Sequence, residues 1–184
     1  PLNQQIYGKT GPDKELVDSI KKYGILTPLI VEYDGTLVSG HQRRACAKRV
    51  GLEKVPVVIF QSTDPLEIEE ALIKANLQRQ KTKVQITREY SKLKEIEAKK
   101  AKQRRVEAGR IYGKGQKVRK NFSGPISTGR ASDIASAKVG YSRPTMEKSE
   151  KVVETADKLE DAGETTKADG LLYMLNNEST DKAY

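Results

Sequence analysis

The residues Ser39-Gly40-His41-Gln42-Arg43-Arg44 bring together the chemistry of an anion site. A glycine at a strand-to-helix junction lets the backbone approach a ligand, and the free N–H groups at the start of the new helix attract anions. Arg43 and Arg44 add fixed charge. Their guanidinium forks can grip phosphate oxygens in pairs, which a lysine ammonium does less well. His41 can donate a hydrogen bond or carry a proton near neutral pH. Taken alone the turn reads as well as a solvated helix start. A second segment, Asn76-Leu77-Gln78-Arg79, shifts the balance toward phosphate. Asn76 and Arg79 can approach the same phosphates or a bound Mg²⁺, although by itself this too is a surface helix terminus.

Local signals supply the elements that must position these residues. After an irregular start, Asp13 caps an amphipathic helix carrying Leu16, Val17 and Ile20, and Gly24 closes it. Residues 29–33 are strand-like, Asp34-Gly35 is a hairpin turn signal, and residues 36–38 return. A helix from His41 to Val50 follows, stopped by Gly51, and then a strand from Val55 to Phe60. Asp64-Pro65 opens a helix running to about Leu77. Thr87 is the expected cap of a long helix to about Ala108. Its apolar stripe of Tyr90, Leu93 and Ile96 is narrow and by itself a weak anchor. Gly109 to Gly129, with five glycines among basic residues, reads as a mobile linker. Helical segments follow near 130–139, 142–158 and 165–176.

The stretch from Asp133 to Met146 has helix-turn-helix spacing. Ile134, Ala135 and Val139 face inward, Gly140 permits the turn, Ser142 caps the second helix and Pro144 sits in its first turn. Ser142, Arg143, Thr145, Lys148 and Ser149 are then placed to meet a DNA major groove. The bland alternative is an ordinary helical pair. Leu171 to Leu175 is too apolar to sit free in water, so its helix is expected to pack on the helix-turn-helix.

Charge distribution favours a polyanionic partner. The chain carries 34 basic and 25 acidic residues, a net +9, but residues 81–130 hold 16 basic against 4 acidic, a net +12, leaving −3 elsewhere. Lys99, Lys100, Lys102, Arg104, Arg105, Arg110, Lys114, Lys117, Arg119 and Lys120 can neutralise phosphates without reading sequence. The single cysteine, Cys46, rules out an internal disulfide, and one Cys with one His gives no zinc-ligand set. Cys46 reads as a small core residue. Neither a spanning apolar run nor a signal-peptide pattern is evident, so the expectation is a cytoplasmic, nucleoid-associated protein with no membrane partner. Because the chain begins at Pro1 rather than Met, it reads as a fragment or a processed chain.

Gly40-His41-Gln42-Arg43-Arg44 and Ala75-Asn76-Leu77-Gln78-Arg79 resemble the two boxes of the ParB family, Gly-Glu-Arg-Arg and Glu-Asn-x-Gln-Arg. Gly24 to Val31 is similar to the segment leading into that family's central strand. The implied fold is α+β: a ParB/sulfiredoxin-like sheet-and-helix module at 1–80, a long basic helix and linker at 81–129, and an all-α helix-turn-helix module at 130–184. The resemblance implies a site for CTP, or ATP, with Mg²⁺, formed by Thr27, Ser39, Gly40, His41, Arg43, Arg44, Asn76 and Arg79, with Asn76 toward the metal. With the helix-turn-helix spacing and the basic tract it points to double-stranded DNA held by Ser142, Arg143, Thr145, Lys148, Arg104, Arg105, Lys117 and Arg119, and the resemblance implies a homodimer, since family members commonly dimerise. His41 or Gln42 replaces the first box's Glu, and Ala75, which cannot ligate Mg²⁺, replaces the second's. The upstream arginine motif of the family is not evident in residues 3–7. Binding is therefore the leading expectation and weak CTP hydrolysis a secondary one. An enzyme of the same fold (hydrolase, kinase or nuclease) and a protein-binding adaptor are the alternatives.

Overall fold

The computed structural model describes residues 2–8, 11–77, 79–112 and 129–184, which divide between two units, Pro1–Arg79 and Gln80–Tyr184. The first is mixed α+β. It contains α1 (Leu2–Tyr7), α2 (Lys14–Tyr23), β1 (Leu29–Val31), β2 (Leu37–Ser39), α3 (His41–Val50), β3 (Val57–Ile59) and α4 (Pro65–Lys74).

Short-range chemistry explains most of these boundaries. The Asp13 carboxylate accepts from the N–H groups of Glu15 and Leu16 and starts α2. Asp34 builds the hairpin turn by accepting from the Thr36 N–H at 2.8 Å and its hydroxyl at 2.9 Å. Those two bonds hold the Asp34 carboxyl below its usual range. Asp64 accepts from the Leu66 N–H, with Pro65 in the first turn of α4. β1 and β2 pair antiparallel, while β3 returns through α3 to lie parallel on the other side of β1. All three β3 residues, at an outer position, are about half exposed.

Two expectations about this unit are corrected. The irregular start is a short helix, α1. Burial of Ile6 and Tyr7, 2% and 3% exposed, holds a segment with little helical preference of its own. The helix from Pro65 ends at Lys74 rather than near Leu77. There the Asn76 and Leu77 N–H groups bond back three residues, to Ile73 and Lys74, and the Asn76 amide donates to the Leu72 carbonyl at 2.8 Å. Those bonds tighten the chain out of α geometry.

The second unit is helical: α5 (Lys83–Tyr112), α6 (Ala131–Val139), α7 (Arg143–Asp161), α8 (Thr165–Asn177) and α9 (Thr180–Ala183). Thr82, not Thr87, starts α5. Its hydroxyl accepts from the Gln85 N–H, and the Gln85 side chain accepts from the Thr82 N–H, each at 3.3 Å, a reciprocal cap. Thr87 lies fully buried in the second turn and donates to the Lys83 carbonyl. The helix also outlasts its expected end, running through Gly109 to Tyr112. The rest of the expected linker, 113–128, lies outside the described residues.

The apolar stripe of α5 is a stronger anchor than its width suggests. Tyr90, Leu93 and Ile96 are 0–3% exposed because α6, α7 and α8 all pack on this helix. Burial without a hydrogen-bond partner among the described residues pushes the Tyr90 phenol up to about 12. Ion pairs flank the stripe: Lys81 with Glu89 at 2.8 Å, Arg88 with Asp157 at 3.0 Å, Lys138 with Glu97 at 2.7 Å, and Lys94 with Glu150. Leu175 of α8 is buried with Val84, Val152, Val153 and Ala183, so its helix packs on α7 and the start of α5. Tyr173 and Met174 stay exposed. Among the described residues no helix is long and apolar enough to cross a membrane.

Candidate functional site

Gly40 lies between β2 and α3 with φ 100° and ψ 23°, a left-handed conformation that disfavours any side chain. A Cβ there would lie 2.9 Å from Leu29 Cγ. Glycine is therefore required twice over, by backbone conformation and by close approach to β1. Among the described residues no side chain caps α3, and its first intrahelical bond runs from the Arg44 N–H to the Gly40 carbonyl. The earlier N–H groups of the helix are the ones available to a ligand.

Around this helix start, Ser39, Gly40, His41, Gln42 and Arg43 line a cavity of about 930 Å³. Ala75, Asn76 and Arg79 line it from the turn after α4. Asn3, Gln4 and Gly8 come from α1 and its end, and Gly11, Asp13 and Leu16 from the start of α2. The turn and the Asn76/Arg79 segment, nearly 40 residues apart in sequence, share one pocket in the first unit. The wall from residues 3–16 was not foreseen. Its only trace in the sequence was the Ile6-Tyr7 pair, which anchors α1.

The arginine pair is divided. Arg43 Nη1 donates to the Thr27 carbonyl at 2.6 Å and the Pro28 carbonyl at 2.7 Å, so part of its fork fastens α3 to the segment before β1. Arg44 is exposed, and neither it nor Thr27 is among the lining residues. Thr27 meets the site through its carbonyl and Arg43. Arg43→Ala is accordingly expected to lower folding stability by about 2 kcal/mol, since hydrogen bonds to charged groups contribute about 1.5–3 kcal/mol. A shifted urea midpoint would register it.

His41 is pushed below its ordinary pKa by burial and then by the neighbouring Arg44 cation. The ligand-free pocket therefore favours neutral imidazole. For Mg²⁺ the residues fit poorly. Ala75 offers no ligand atom, the Asn76 amide nitrogen is committed to Leu72, and Asp13 Oδ1 to the α2 cap. Among the described residues no group of three or more His, Cys, Asp or Glu could hold a metal ion. Cys46 is fully buried, donating toward the Asp13 carbonyl at 3.8 Å, and burial pushes its thiol up.

Residues 13–77 match the ParB N-terminal domain family model. In sequence, this segment is similar to a ParB N-terminal domain. Its match runs from the Asp13 cap through the Gly40 turn to the residue after Asn76. The chain is similar to the chromosome-partitioning protein Spo0J of Thermus thermophilus, 41% identical over 87 residues, covering 45% of this chain and 32% of that protein. It is also similar to protein ORF326b of Acidianus two-tailed virus, 34% identical over 92 residues, covering 50% and 28%. The chain thus spans about a third or less of the length of these curated relatives. A solved structure, C-terminally truncated ParB of Caulobacter crescentus complexed with CTP-gamma-S, aligns with 95% of this chain and 87% of its own at 18% identity and TM-score 0.34. A likeness at that level supports no transfer of residue roles. Outside the matched residues lie α1, Arg79 and the whole helical unit.

In that unit, α6 and α7 are joined by Gly140 in the left-handed region, φ 78°, and by Ser142, whose hydroxyl accepts from the Thr145 N–H at 3.4 Å. Ser142 and Lys148 are exposed, while Arg143 and Thr145 are half-buried. Both cations are paired. Arg143 meets Asp133 at 3.2 Å and Glu147 at 3.5 Å, and Lys148 meets Asp181 at 2.6 Å, a bond that pushes the lysine up and the carboxyl down. Ser149, expected on the outer face, is fully buried and donates to the Thr145 carbonyl. A serine can turn inward there because its hydroxyl bonds within the helix. Arg104 and Arg105 lie within residues 102–107 of α5, all exposed, and with Lys102 they form no ion pair among the described residues. Lys114, Lys117, Arg119 and Lys120 lie outside the described residues.

Proposed function

We propose that this chain is a ParB-like DNA-binding protein whose α3 pocket holds the phosphates of a nucleotide, CTP first among the candidates. The uncapped start of α3 behind Gly40, facing a cavity that Asn76 and Arg79 also line, carries the reading. Helix N–H groups meet the anion, Arg79 and the free part of the Arg43 fork supply charge, and the Asn76 amide oxygen remains to accept from a ligand. Any Mg²⁺ would be held mainly by the phosphates themselves, so no hydrolytic step is assigned to the residues present. In the second unit, α6 and α7 are proposed as a helix-turn-helix. Ser142, Arg143, Thr145 and Lys148 face a major groove, and the distal half of α5 neutralises phosphates. Nucleotide would act as a switch if it changed how subunits or modules dock.

His41 tests the pocket directly, being the only histidine in the chain. Burial, and then the Arg44 cation, hold its pKa in the free protein below the ordinary histidine value. An anion beside the ring favours imidazolium, so the bound pKa should be higher than the free one. Binding then takes up a proton, and affinity rises as pH falls below the bound value toward the free value. The expected result is an upward shift of the His41 titration, followed by NMR, when CTP or tripolyphosphate is added. A titration that ignores both ligands at saturating concentration would remove the phosphate from this pocket.

A further inference from the structure

The sequence match to the ParB N-terminal domain begins at residue 13, yet a wall of the pocket comes from earlier in the chain. The contact that stands out there joins α1 to the turn after α4. The guanidinium carbon of Arg79 lies 5.2 Å from the centroid of the Tyr7 ring. Tyr7 is 3% exposed, so its ring is fixed by packing rather than free to follow the arginine. Arg79 is half-buried, lines the cavity and follows a turn closed by its own N–H on the Asn76 carbonyl at 3.1 Å. A guanidinium over an aromatic face, within about 6 Å of its centroid, is held by the ring quadrupole while its outward N–H groups stay available.

We propose that Tyr7 is a positioning residue: its ring orients Arg79 toward the anion in the α3 pocket, which makes α1 an integral part of the binding site. The proposal rests on the phosphate reading of that pocket. An arginine on a turn has many rotamers, and each must be given up when it grips a phosphate. A ring that already restricts those rotamers lowers that cost at binding. A lysine would serve less well at 79, because only a planar guanidinium can stack on the ring and present a fork at its edge. The same ring explains how an arginine beyond the end of α4, outside any regular element, can point repeatedly to one place.

The test uses the full chain and two readouts. The first is NMR of the ligand-free protein. A cation over a ring is shifted by the ring current, so the Arg79 side-chain signals should move in Tyr7→Leu and stay close to their original positions in Tyr7→Phe. The second is calorimetric affinity for inorganic tripolyphosphate. Tyr7→Leu is expected to bind about three- to tenfold more weakly, Tyr7→Phe within about twofold of the original, and Tyr7→Leu should add nothing once Arg79→Gln is present. Unfolding midpoints identify any variant that has lost its fold, and Tyr7→Phe keeps the comparison intact if Tyr7→Leu has. Arg79 signals indifferent to the ring, equal losses in Phe and Leu, or a Tyr7→Leu effect that persists with Arg79→Gln would each overturn the positioning role alone. An unsubstituted chain that binds no tripolyphosphate, while its Arg79 signals still respond to Tyr7, would instead overturn the phosphate reading on which the role depends.

Discussion

Gly40→Ala is expected to cost at least about 2 kcal/mol of folding stability and to abolish nucleotide binding. Two separate penalties meet at this position. A residue with a Cβ held at φ 100° carries backbone strain of about 1–3 kcal/mol. The new methyl would also lie 2.9 Å from Leu29 Cγ, and Leu29 is 2% exposed with little room to yield. The chain can relieve the clash only by moving the turn away from β1. That movement carries the first N–H groups of α3 and the Arg43 bonds to the Thr27 and Pro28 carbonyls with it. Gly40→Asn separates the two penalties, since asparagine tolerates the left-handed region but still brings a Cβ. It should be less damaging to stability and equally damaging to binding. Urea denaturation reads the first quantity and calorimetry the second; an unchanged midpoint for Gly40→Ala would contradict this geometry.

Removing the exposed cations of α5 should produce the other large effect. In the proximal half of the helix Arg88, Lys92 and Lys94 are engaged by Asp157, Glu95 and Glu150, so their charge serves the fold. Past Ala101 the pattern changes. Lys102, Arg104, Arg105 and Arg110 are exposed and form no ion pair among the described residues. Each phosphate neutralised contributes about 0.9 to the slope of log affinity against log salt. Replacing all four by Gln is expected to flatten that slope by about 3 to 4 and to weaken binding of a duplex on the order of a hundredfold or more at low salt. The loss should be similar for every duplex sequence. Arg143→Ala and Lys148→Ala should instead act on discrimination between duplexes, and more mildly, because Asp133, Glu147 and Asp181 already offset those charges. Fluorescence anisotropy across a salt series separates the two patterns, and an unchanged slope in the quadruple variant would show that the arm does not meet phosphate.

What could be read from the sequence was local. The Asp13 and Asp64 caps, the Asp34-Gly35 turn, the Gly40 junction and the Gly140/Ser142 connection each depend on a few neighbouring residues, and each lies where its pattern indicated. Helix ends failed where competing caps lay close together. Thr87 has the residue type of an N-cap, but the reciprocal bonds of Thr82 with Gln85 start the helix five residues earlier. Long-range partners were the least legible. Nothing near Arg43 in sequence indicates two carbonyls at positions 27 and 28, and nothing near Ser149 indicates Thr180 beside it, 3.4 Å away. The wall formed by α1 was hidden for the same reason. A segment with weak intrinsic helicity becomes a helix because Ile6 and Tyr7 are buried, which is a property of the folded unit.

The most direct test of the pocket is calorimetric titration of the chain with CTP, ATP, GTP and inorganic tripolyphosphate, with and without Mg²⁺, using Arg79→Gln as the control. Arg79 suits that role better than Arg43, because its side chain lines the cavity and, among the described residues, fastens no backbone carbonyl. Saturable binding of CTP and of tripolyphosphate, weakened at least tenfold in a folded Arg79→Gln protein, is the expected result. A folded chain that binds none of these anions, or binds them equally well after Arg79→Gln, would contradict the assignment of the α3 pocket as a phosphate site.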